Sequence, residues 1–243
     1  MEVSCRKQSL VVLAADRDSM DGLNELVDSV GEHISALKTH VDMIDDWTPE
    51  AWSAFCEKAR AADLLVFEDR KFADIGKISR DQMGGIYDIR NWADLVTAHL
   101  ISGPDIVDGI CSAWSDVGRE GGVLLLAQMS SRGNLLSENY CDVVVSLGCA
   151  NPGVFGFIGN GSRPAELAEL REKVGNVKMI WTPGVNIATG DGEMGQRYGD
   201  PKQAVLAGSD GIIVGSGIHR AQDEKAAAKA YADVSWNALL KRK

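Results

Sequence analysis

The sequence has few prolines, few aromatic residues and no long apolar run. Six prolines in 243 residues exclude a linker-rich or disordered composition. Aromatic residues at 6%, including six tryptophans that do not alternate with basic residues, exclude a stacking platform for single-stranded nucleic acid. No segment approaches the roughly 20 apolar residues of a membrane span. Residues 1–9 lack an apolar core and a cleavage-like ending, so neither export nor insertion is expected. Positive charge is in deficit, with 25 Lys+Arg against 35 Asp+Glu and a net charge of -10. That balance excludes a general nucleic-acid or anionic-membrane surface, while leaving room for a small anionic substrate in a locally basic pocket. The five cysteines, Cys5, Cys56, Cys111, Cys141 and Cys149, are odd in number and form no Cys-x-x-Cys pair. They exclude a disulfide framework, fit a reducing cytoplasm and suggest no metal site.

What is present is an ordinary globular composition, 45% hydrophobic and 25% charged, long enough for a large core and economically read as one domain over 1–243. Valine- and leucine-rich runs alternate with helical stretches. Strands are expected at Ser9–Ala15, Ala36–His40, Leu64–Glu68, Asp94–Leu100, Gly122–Met129, Gly153–Ile158, Lys178–Trp181 and Gly211–Val214. Their continuous apolar character suits parallel strands covered on both faces. Ser19 and Thr48-Pro49 mark helix starts, and Gln222–Lys241 reads as a closing amphipathic helix. Eight strand-like segments alternating with helices predict an α/β (β/α)8 TIM barrel, whose functional residues sit at the carboxyl ends of the strands. Those ends carry Asp16, Lys38, Asp69, Lys71, Ser130, Pro183 and Gly215-Ser216-Gly217. A long polar, glycine-rich stretch from Asn186 to Asp200 has the length of a lid or binding loop.

The densest signal is Leu64–Ile75, an apolar run that ends in Asp69, Lys71 and Asp74. In an extended chain Asp69 and Lys71 project together, and a tight turn into a helix brings Asp74 near. Alone, such a string is commonly a solvated ion pair. At the end of a buried strand, however, a charge must be paired or hydrated by a pocket. With Lys38 on the preceding strand, an alternating Lys-Asp-Lys-Asp array suits stabilising a carbanion and then protonating it.

The segment Phe67-Glu68-Asp69-Arg70-Lys71-Phe72-Ala73-Asp74-Ile75-Gly76 resembles the signature of the orotidine 5′-monophosphate decarboxylase family, in its fungal and animal branch. Leu37-Lys38-Thr39-His40-Val41-Asp42, Trp92-Ala93-Asp94-Leu95-Val96, Met129-Ser130-Ser131, Thr182-Pro183-Gly184-Val185, Gly195-Gln196 with Tyr198, and Ile213-Val214-Gly215 follow in that family's order. The resemblance implies cofactor-free, metal-free decarboxylation of orotidine 5′-monophosphate to uridine 5′-monophosphate. It assigns the catalytic tetrad to Lys38, Asp69, Lys71 and Asp74, with Lys71 donating the proton. It further implies a homodimer in which Asp74 and Ile75 complete the neighbouring site. Asp16 is implied to bind ribose, Ser130 the pyrimidine, Pro183 the pocket wall, and Gln196, Tyr198, Gly215 and Ser216 the phosphate region. His40 and His99 read as structural rather than catalytic.

Two departures from the family pattern stand out. Ser216 occupies the place of an arginine that grips phosphate, and a neutral hydroxyl cannot form a bidentate charge-assisted pair. Arg197 and Arg220 are candidate replacements. Ile78 stands where a threonine contacts ribose. Both departures touch substrate grip, so a raised KM with retained chemistry is expected. The alternatives are a decarboxylase or aldolase acting on another phosphorylated substrate, and a low-affinity relative without catalysis.

Overall fold

The structure, a computed structural model, describes residues 1–188, 190–191 and 197–242. Eight parallel strands close into a barrel: β1 (Val11–Ala14), β2 (Ala36–Thr39), β3 (Leu65–Phe72), β4 (Leu95–Ala98), β5 (Gly122–Leu126), β6 (Val154–Ile158), β7 (Met179–Thr182) and, after a two-stranded ribbon β8 (Gly190–Asp191) and β9 (Arg197–Tyr198), β10 (Gly211–Val214). Each strand pairs with its sequence neighbour, and β10 returns to β1 with Val11 opposite Ile212. The eight expected barrel strands are therefore all present, several of them shorter than the apolar runs that announced them.

Helices alternate with the strands and begin where local chemistry directs them. Ser19 caps α2 (Met20–Val30), its side chain accepting from the Gly22 amide. Thr48 caps α3 (Pro49–Ala61) by accepting from Ala51, with proline in the first turn, where its missing N–H costs nothing. The other main helices are α4 (Gly76–Met83), α5 (Asp105–Ser115), α6 (Glu138–Ala150), α7 (Pro164–Val174) and α8 (Pro201–Leu206). The last two are α9 (Ser216–His219) and α10 (Glu224–Leu239). Helix α1 (Glu2–Lys7) has no counterpart in the sequence reading, because six residues are too few to display a period. It lies under the amino-terminal end of the barrel, where Met1–Ser4 share a cavity with Val12, Leu65 and Trp181.

Strand alternation sorts the core into two layers. One, between strands and helices, takes Val11, Leu13, Leu37, Val66, Val96 and Leu125. The other fills the barrel interior with Val12, Ala36, Phe67, Leu95, Leu124 and Trp181. Trp181 meets Phe67 and Phe155 edge-on at centroid distances of 5.7 and 5.6 Å, plugging the barrel below its mouth. Above this plug the inward-facing positions turn polar, at Lys38, Asp69 and Thr97. Helices α4 and α5 approach through glycine: a Cβ on Gly109 would lie 2.1 Å from the Gly76 carbonyl oxygen. No described helix is long and apolar enough to cross a membrane.

Candidate active site

The site is built where β3 departs from regular pairing. Glu68 lies opposite Val96 and Phe72 opposite Ala98, so Asp69, Arg70 and Lys71 together face the single residue Thr97 on β4. The strand expected to stop at Glu68 runs on to Phe72 through this bulge and pairs again. Lys71 adopts a left-handed backbone, φ 50°, a costly conformation for a residue with a side chain. Simple alternation is therefore not what brings Asp69 and Lys71 together. The bulge re-aims Lys71, and Thr97 holds it: the Lys71 amide donates to Thr97 Oγ1 at 2.8 Å, while that hydroxyl donates to Asp69 Oδ1 at 2.8 Å.

Asp69 is the hub. Its Oδ2 lies 2.7 Å from Lys71 Nζ and 3.7 Å from Lys38 Nζ. Lys38 also reaches Asp16 Oδ1 at 3.3 Å, and His40 Nε2 stands 3.8 Å from Asp69. Burial works to raise the Asp69 carboxyl, but Lys38, Lys71 and the hydrogen bond from Lys71 outweigh it and hold the group at about 2. The carboxylate is thus fixed in its ionised form. Burial, reinforced by Lys38, lowers the His40 imidazole, keeping it neutral beside two ammonium groups. The side chains of Lys38 and Asp69 are 8% and 13% exposed, that of Lys71 38%, so Lys71 is the most exposed of the three.

Two adjoining cavities open over this array. One, of about 210 Å³, is lined by Lys38, Asp69, Lys71, Ser130, Pro183 and Ile213. The other, of about 750 Å³, holds Asp16, Tyr198, Gly215, Ser216, His219 and Arg220, and shares Lys38, Pro183 and Ile213 with the first. Of the eleven expected site residues among the described ones, nine gather around one mouth, with Asp74 and Ile75 set apart from them. Gln196 lies outside the described residues. Asp74 is exposed on the approach to α4, its Oδ1 accepting from the Ile75 amide and its carbonyl from Ser79 and Ser102. Ile75 is 55% exposed. The tight turn that would carry Asp74 back to Lys71 within one chain is not formed.

Tyr198 and Ser216 meet, hydroxyl to hydroxyl, at 3.4 Å. Arg197 turns the other way: its Nε donates to the Ser130 carbonyl at 3.2 Å, and it lines a separate cavity between α6 and α7. Of the two arginines considered for the place of Ser216, Arg220 is the one on the shared cleft. Ile78 lies half-buried on α4. Sequence reasoning missed Thr97, although it shares its face with the inward-pointing Leu95, and it missed Glu68, which is wholly buried.

A model of the orotidine 5′-phosphate decarboxylase / HUMPS family matches residues 9–231. The chain belongs to this family. Among curated relatives, the orotidine 5′-phosphate decarboxylase of Rhizomucor pusillus is 39% identical over 99% of this chain and 90% of its own length. The uridine 5′-monophosphate synthase of Bos taurus is 36% identical over 98% of this chain but only 48% of its own length. Among solved structures, the orotidine 5′-monophosphate decarboxylase of Methanocaldococcus jannaschii, complexed with the inhibitor BMP, superposes with a TM-score of 0.73. It is 22% identical, covering 93% of this chain and 98% of that one, and so speaks for the shared family barrel.

Proposed function

We propose that the chain decarboxylates orotidine 5′-monophosphate to uridine 5′-monophosphate without a cofactor, the closing step of pyrimidine nucleotide synthesis. The observation that carries this reading is the Lys38–Asp69–Lys71 array, assembled on a strained bulge at the mouth of this family's barrel. Loss of carbon dioxide leaves the bonding electron pair on C6 of the pyrimidine. The Lys71 ammonium, held 2.7 Å from Asp69, stabilises that carbanion and delivers its proton to C6. Because these charges are fixed before substrate arrives, little reorganisation is needed as charge develops. Ser130 and Pro183 border the pyrimidine cavity; Asp16 faces the ribose; Tyr198, Gly215, Ser216, Arg220 and Gln196 serve the phosphate end.

The same reading makes the enzyme a homodimer of single-barrel subunits, with Asp74 and Ile75 completing the partner's site. Their exposure, next to the turn whose Ser102 hydroxyl donates to the Asp74 carbonyl and whose Ile101 is 71% exposed, supports it. The five free cysteines suit a cytoplasmic setting. Ser216 favours a second reading, another phosphorylated substrate, and Arg220 on the same cleft counters it.

The test is the loss of pyrimidine absorbance when orotidine 5′-monophosphate is supplied, with Lys71→Ala as control. Turnover is expected, falling at least about 10³-fold in the variant. Absence of turnover at millimolar substrate would overturn the proposal. Faster turnover of a different sugar phosphate would establish the second reading.

A further inference from the structure

Lys38 and Asp69 face each other across β2 and β3 on the inside of the barrel, and the pair directly behind them is unusual. Thr39 follows Lys38, Glu68 precedes Asp69, and the two are in register as the last paired residues of the β2–β3 ladder. By alternation both point outward, into the apolar layer between strands and helices. There Thr39 is 1% and Glu68 0% exposed. Thr39 Oγ1 donates to Glu68 Oε2 at 2.7 Å, and the Val41 amide, beyond the strand end, donates to the same carboxyl at 3.1 Å. The next residues add a second tie, as Arg70 pairs with Asp42 at 2.6 Å.

A carboxyl in an apolar layer is costly, and valine or leucine would satisfy the packing. What the carboxyl adds is a connection at one particular place. At Glu68 the pairing of β3 with β4 lapses into the bulge, and the β2–β3 ladder ends. Lys38 is still in the ladder, opposite Phe67, but Asp69 lies one residue past its end, so no regular pairing fixes the depth of Asp69 against Lys38.

We propose that Glu68, through Thr39 and the Val41 amide, is a positioning residue that sets the Lys38–Asp69 contact from behind the strands. Burial pushes the Glu68 carboxyl up to about 8. Near neutrality it therefore carries a proton and adds no second negative charge behind Asp69; in that form the bond to Thr39 reverses, Oε2–H donating to Thr39 Oγ1 while the threonine hydroxyl donates to the Phe67 carbonyl at 3.3 Å. An amide is then a close mimic, whereas an apolar side chain of similar size removes the tie. The turnover readout rests on the decarboxylase reading, so the unmodified enzyme is assayed first.

In the intact protein, Glu68→Met and Thr39→Val are expected to lower kcat about 10- to 100-fold, the scale of an ångström misplacement, with KM within about threefold. Glu68→Gln is expected to keep most of kcat, and the double variant to lose no more than the worse single one. Carbon-13 NMR of the Lys38 ε-methylene reads the same geometry without turnover. Its chemical shift should move in Glu68→Met and Thr39→Val and stay near wild type in Glu68→Gln. The inference is overturned if folded Thr39→Val keeps full kcat and an unmoved Lys38 ε-methylene resonance, or if Glu68→Gln is as impaired as Glu68→Met. Absence of turnover by the wild type alone would instead sink the decarboxylase reading and leave the NMR arms to judge the tie.

Discussion

Asp69 and Glu68 are adjacent carboxyl groups driven in opposite directions by their surroundings. Asp69 points inward between two ammonium groups and stays ionised, held at about 2. Glu68 points outward into the apolar layer and is pushed to about 8. The sign of the consequence is fixed by which state binds the proton more tightly. Between the ordinary carboxyl range and about 8 the folded protein retains a proton at Glu68 that the unfolded chain has lost. Stability from this group is therefore complete below about pH 4.5 and declines as pH rises through about 8, by up to ~1.4 kcal/mol per unit. Urea unfolding should show wild type losing stability relative to Glu68→Gln between pH 5 and 9. A constant difference across that range would contradict a buried, protonated Glu68. Lys71 shows why residue type alone was insufficient. Its aim depends on a left-handed φ and on the Thr97 hydroxyl, neither visible in a count of charges.

Elements bring these residues together through close packing as much as through pairing. Helix α4 starts at Gly76, directly after Asp74 and Ile75, and lies against Gly109 of α5 so closely that neither position has room for a Cβ. In Gly109→Ala the new methyl must displace the Gly76 backbone and part the two helices. A loss of roughly 1–3 kcal/mol is expected from such overpacking, lowering the melting temperature by ~2–4 °C per kcal/mol for a chain of this size. A melting temperature equal to wild type would show that α4 yields freely. The ribbon β8–β9 is tied at its base in a similar way. Tyr231 on α10 donates to Asn186 Oδ1 at 2.9 Å and accepts from the Ile187 amide at 3.1 Å. The sequence marks this stretch as a loop, and its length and glycine content justify that. The short antiparallel pairing of Gly190–Asp191 with Arg197–Tyr198 is too brief to leave a periodic trace.

For the whole molecule, the position of Asp74 has the largest consequence. One chain assembles Lys38, Asp69 and Lys71 but leaves Asp74 exposed and apart. If sites are shared in a symmetric dimer, Lys71→Ala and Asp74→Asn impair each site through different subunits. Mixing the two inactive variants under conditions that exchange subunits should then restore activity. Half the dimers become mixed and each holds one intact site, giving about a quarter of wild-type turnover. Persistent inactivity after exchange would place Asp74 and Lys71 in the same subunit's site.

The sequence by itself determined the barrel, because eight apolar runs separated by helical stretches leave few ways to bury strands on both faces. It also determined which strand ends bear charge, since Lys38, Asp69 and Lys71 interrupt runs that are otherwise apolar. Helix starts at Ser19 and Thr48 were legible for the same local reason, a side chain that accepts from the first turn. Only the tertiary structure decided the bulge at Asp69–Lys71, the role of Thr97, the burial of Glu68 behind Lys38, and the separation of Arg197 from Ser216. These features depend on register between strands some 26 to 29 residues apart, and on which side of the sheet a side chain falls. Local sequence carries no term for either, whereas packing of the closed barrel fixes both.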